Sequence, residues 1–94
     1  MLVIGRNNFN EENKIKILEN IKFRIDESID KLKPDTAINI TMSGVKILEP
    51  VREEFTNWCI NEIDKELKSR NMEVKCIGGY EGLIGYPSIY IALK

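Results

Sequence analysis

Apolar and polar residues along this chain alternate in two rhythms, and the change of rhythm marks the elements. Leu2, Val3 and Ile4 form a short branched run closed by Gly5, the pattern of a buried strand. From Asn10, a residue suited to capping a helix ahead of Glu11 and Glu12, the rhythm becomes helical. Leu18, Ile21, Ile25, Ile29 and Leu32 recur at three- and four-residue steps, which predicts a helix with Ile15 on the same face and Ile17 and Phe23 off it. Pro34 disfavours helical geometry before it, so the helix stops near Lys33.

A two-residue rhythm follows, with Ile38, Ile40 and Met42 on one face of a strand and Asn39 and Thr41 on the other. Ser43 and Gly44 lead through Val45, Lys46, Ile47 and Leu48 to Glu49 and Pro50, which open a second helix, since proline is tolerated in a first helical turn. That helix is expected to bury Val51, Phe55, Trp58, Cys59, Ile63 and Leu67 and to end at Arg70 and Asn71. Met72 to Ile77 reads as a third strand, the glycine-rich stretch from Gly78 to Ser88 as a loop, and Ser88 to Leu93 as a final strand. The order β-α-β-α-β-β predicts an α/β fold of the α+β sandwich kind. One four-stranded mixed sheet is packed by two helices and ends in an antiparallel hairpin, all in a single domain over residues 1–94.

Composition narrows the chemistry. Fourteen basic and fifteen acidic residues leave a net charge of −1, which supplies no general attraction for a polyanion. No histidine is present, so the commonest general base and a frequent zinc ligand are missing, and no nucleophile sits in an activating motif. The expectation is a protein that is not an enzyme and uses no cofactor. Cys59 and Cys76 lie in apolar patterns without metal or redox spacing and read as reduced thiols. Polar Arg6, Asn7 and Asn8 follow the first apolar run too soon for a signal peptide, and no apolar segment approaches membrane-spanning length. A cytoplasmic location with no membrane partner is expected.

The loop from Gly78 to Ser88 admits two readings. Its glycines let a backbone approach a phosphate, with Tyr80 and Tyr86 placed to stack on a base, yet it follows neither the dinucleotide nor the P-loop pattern. The plainer reading is a hairpin connection whose Leu83 and Ile84 fold back on the core. Paired glutamates such as Glu53 and Glu54 suit a solvated helix face, and Arg6, Lys14 and Lys16 make at most a modest basic corner.

Ile40 to Pro50, ITMSGVKILEP, resembles STAS domains, the anti-sigma-factor antagonist family. Gly44, Val45, Ile47, Leu48 and Glu49 match in kind its strand, Gly-Val, apolar pair and acidic residue before a helix, and Leu67 to Val74 resembles its passage from helix to strand. The resemblance runs from about Leu2 to Gly79. It implies a regulatory module that binds a protein partner at the start of the second helix, around Glu49, Arg52 and Glu53, with Tyr80, Glu81 and Tyr86 of the glycine-rich stretch as further candidates. The family's phosphorylated serine would fall at Pro50 or Val51, so a phospho-switch is not expected there, and the final strand replaces a helix of that family. The same order of elements is also similar to Alba-like nucleic-acid-binding proteins, which dimerise; here the hairpin offers Glu81 and no basic residue, contrary to phosphate binding. A homodimer is an open expectation, because the edge strands of a small sheet are pairing templates.

Overall fold

The computed structural model describes residues 1–82 and 85–94. Its order is β1 (Leu2–Ile4), α1 (Glu11–Ser28) continued by a 3-10 turn (Ile29–Lys31), β2 (Ile38–Thr41), β3 (Val45–Ile47), a second 3-10 turn (Glu49–Val51), α2 (Arg52–Lys68), β4 (Val74–Glu81) and β5 (Tyr86–Leu93). The mixed α+β class agrees with the sequence reading, but among the described residues the strands number five in two sheets where one four-stranded sheet was expected. β1 pairs with β3 in parallel, and β5 lies between β2 and β4 in an antiparallel sheet. The added strand is the segment read as a run-in to the second helix: Val45 and Ile47 are buried on either side of Lys46, the alternation of a strand only three residues long.

The two sheets meet along one line. A turn at Ser43 and Gly44, closed by the Val45 N–H on the Met42 carbonyl (3.2 Å), separates β2 from β3. Met42 still donates its N–H to the Pro87 carbonyl (2.9 Å), and β3 lies against β5 further toward the hairpin tip. Both helices cover the same side. Ile4, Ile17, Ile21, Ile25, Ile38, Ile40, Ile47, Phe55, Cys59, Ile63, Leu67, Ile89 and Ile91 form one buried cluster, while Asn39, Lys75, Ile77, Gly79, Glu81 and Tyr90 stay exposed on the opposite face.

α1 keeps part of the expected stripe, since Ile21, Ile25 and, just beyond its end, Leu32 are buried, and departs from it toward its N-terminal end. Ile17, Ile21 and Ile25 are buried one turn apart, Leu18 and Ile29 are half-buried, and Ile15 is 56% exposed. Both stripes satisfy helical spacing, because apolar residues stand at 15, 17, 18 and 21; packing on the sheet selects the straighter four-residue ladder. Phe23 lies off it and is exposed. The side chain of Asn10 caps α1 by accepting the Asn13 N–H (3.0 Å). Asn8 closes the preceding loop, accepting the Gly5 N–H and donating to the Val3 carbonyl, each at 2.7 Å. The basic corner expected nearby is dispersed: Lys14 stacks 4.7 Å from the Phe9 ring centroid, and Lys16 pairs loosely with Glu12.

α2 ends in a Schellman arrangement, with Asn71 in left-handed geometry (φ 61°), Met72 N–H on the Leu67 carbonyl (2.9 Å) and Asn71 N–H on the Lys68 carbonyl (3.0 Å). Arg70 just beyond it joins the helices, bonding Asp26 of α1 at 2.7 Å and Glu66 at 2.9 Å. The register of α1 has a direct test. Ile17→Ala should destabilise by about 2–5 kcal/mol and Ile15→Ala by less than about 0.5 kcal/mol, measured by urea denaturation; the reverse order would restore the stripe expected from spacing alone.

Candidate functional site

The stretch expected to be a loop is mostly strand. β4 runs through Gly78, Gly79 and Tyr80 to Glu81, and β5 resumes at Tyr86. Leu83 and Ile84, expected to fold back on the core, lie outside the described residues. Gly78 is present for packing and not for a turn: a Cβ there would collide with the Thr56 methyl of α2 and press on Ile89 at 3.2 Å. α2 therefore sits low on β4, which brings its first turn beside the hairpin end.

Four contacts lock that junction. Arg52 donates from Nε to the Ile47 carbonyl (3.0 Å), tying the first residue of α2 to the last of β3. Its guanidinium carbon lies 4.9 Å from the Tyr80 ring centroid. The Tyr80 hydroxyl donates to the Arg52 carbonyl (2.9 Å) and pairs with the Thr56 hydroxyl (2.8 Å). Burial raises the Tyr80 phenol above its ordinary value, while the Thr56 bond and the Arg52 charge work in the opposite direction. Gly85 completes the clamp, since it adopts φ +76° and a Cβ there would run into the guanidinium.

The six residues expected to form a surface thus divide. Arg52 and Tyr80 are half-buried members of the clamp, and Glu49 and Glu53 stand exposed beside it with Leu48 and Pro50. Glu81 lies opposite Tyr86 in the register of the same hairpin, on the sheet face away from α2. Its carboxylate is 3.3 Å from the buried Ser88 hydroxyl, which donates to Asn39 Oδ1 at 2.6 Å and lies 3.3 Å from the Thr41 hydroxyl. Thr56, Gly85 and the Ile47 carbonyl were missed by sequence reasoning. Only the four-residue spacing of Arg52 and Thr56 hinted at a shared helix face.

Among the described residues no group of three His, Cys, Asp or Glu side chains is placed to hold a metal ion. Burial pushes the Cys59 thiol far up, and Cys76 is pushed up to about 11 by burial and then by Asp64, so neither supplies much thiolate near neutrality. An open hollow of about 320 Å³, lined by Lys68, Asn71, Met72 and Glu73, lies at the far end of α2 from the clamp. No family model, curated protein or solved structure matches the chain.

Two outcomes test this account. Tyr80→Phe removes a hydroxyl that satisfies two partners and should cost about 1–3 kcal/mol in chemical denaturation. Alkylation at Cys76 should accelerate about tenfold per pH unit from pH 7 to pH 10, because the thiolate is scarce below about pH 11. Both raised thiols also carry a stability term that is complete below the ordinary value of 9.0 and is lost as pH rises through the folded values; a melting temperature that stays level from pH 8 to pH 11 would contradict it.

Proposed function

We propose that this protein is a small non-enzymatic regulatory module of the cytoplasm that binds another protein at the start of α2. The observation that carries the reading is the clamp of Arg52 on Ile47, Tyr80 and Gly85. It joins the end of β3, the first turn of α2 and the hairpin end, and so presents Leu48, Glu49, Pro50 and Glu53 on a stiff support. A rigid scaffold beneath an exposed connection lowers the ordering cost of binding.

The chemistry of the surface describes the partner. Glu49, Glu53 and Glu54 are exposed, and among the described residues none is paired with a cation, while Leu48 and Pro50 add an apolar centre. A partner with basic residues around an apolar spot suits it. The STAS resemblance points to the same helix start without the family's phosphorylation switch, because Pro50 has no hydroxyl and Val51 is buried. The acidic surface also disfavours the Alba-like alternative, which needs phosphate-binding cations.

Affinity capture from the native host, followed by a double variant, tests the reading. Glu49→Lys with Glu53→Lys should reduce capture of the partner at least about tenfold while leaving the melting temperature within about 2 °C. Equal capture by the variant would remove this surface from consideration, and steep salt-dependent retention of nucleic acid would replace the reading with the Alba-like one.

A further inference from the structure

β4 is eight residues long and pairs on one side only. The Lys94 N–H bonds the Glu73 carbonyl at 3.1 Å, which fixes the phase of the ladder. Odd-numbered residues of β4 exchange bonds with β5, and Val74, Cys76, Gly78 and Tyr80 turn their N–H and C=O groups to the outer edge. Among the described residues these groups have no backbone partner. Edges of this length are usually blunted by proline, a bulge or charged side chains; β4 contains no proline, its register with β5 is continuous, and its two charges, Lys75 and Glu81, are of opposite sign.

We propose that this edge is a homodimer interface, in which β4 pairs antiparallel with β4 of a second copy about a two-fold axis at Gly78. The side chains select both the occupant and the register. With Gly78 on the axis, Lys75 of each copy stands across from Glu81 of the other, and Ile77 stands across from Gly79. These are pairs without mutual backbone bonds, where side chains approach most closely, so two opposite-charge pairs form and each exposed Ile77 covers a residue with no side chain. Moving the axis to Ile77 would instead set Glu81 against Glu73.

α2 packs on β4 itself, so in the dimer the α2 helices of the two copies become neighbours on one face of the joined sheet. A second copy continues both layers, with about six new backbone hydrogen bonds across the axis. An interface of this size is at the small end of the range, so the dimer is reversible.

Sedimentation across a concentration series, with hydrogen exchange read at single amides, tests the proposal. The wild-type protein should dimerise as its concentration rises toward about 1 mM, with slowed exchange at the amides of Val74, Cys76, Gly78 and Tyr80. Glu81→Lys should weaken dimerisation roughly tenfold by setting like charges opposite one another, and the exchanged pair Lys75→Glu with Glu81→Lys should restore it. Matching melting temperatures for the single and double variants exclude a folding defect as the cause. A monomer throughout the series, a dimer indifferent to both variants, or a dimer without protection of those four amides would each overturn it.

Discussion

The approach of α2 to β4 is the constraint on which the hairpin end of the molecule depends. A helix rests on a sheet through its side chains, and its height above the strands follows from what lies between them. At the crossing of α2 and β4 the strand contributes only Gly78, and the Thr56 methyl occupies the space a Cβ would take. Because the helix is low there, Thr56 and the Arg52 carbonyl come within hydrogen-bonding distance of the Tyr80 hydroxyl, and the Arg52 side chain can lie on the ring.

Much of the architecture was legible as rhythm. The strand of Ile38 to Thr41 and the buried ladder of Phe55, Cys59, Ile63 and Leu67 combine strong period with sufficient length, and both stand where periodicity puts them. The departures occur where local signals are ambiguous. Val45 to Ile47 is too short to establish a period and becomes a strand only because β1 pairs with it. Gly78 and Gly79 carry the signature of a turn, yet both pair with β5 in the ladder, and the position of Thr56 on another element leaves no space for a side chain at Gly78. In α1 the helix's own pattern places Ile21 and Ile25, and the partner surface decides between Ile17 and Ile15.

The candidate site shows the same division. Glu49, Arg52 and Glu53 were readable because they surround a helix start marked by Pro50, and Tyr80 because it stands among glycines. Their relation was not readable. A backbone carbonyl such as that of Ile47 carries no sequence signal, and the pairing of Arg52 with Tyr80 spans 28 residues. A half-buried arginine beneath a surface of exposed glutamates is therefore a tertiary feature: its charge is engaged within the fold, and the outward chemistry is left to its acidic neighbours.

The aromatic cluster at the opposite side of α2 has a practical consequence. Trp58 is the protein's only tryptophan, and it stands edge-on to Phe9 with ring centroids 5.6 Å apart, beside Phe55 and with Lys14 over the group. Its indole emission reports the seating of the segment before α1 against α2, whereas the three tyrosines, Tyr80, Tyr86 and Tyr90, all belong to the β4–β5 hairpin. The tryptophan therefore reports on one flank of α2 and the tyrosines on the hairpin, with Tyr80 joining the two through its bonds to Arg52 and Thr56.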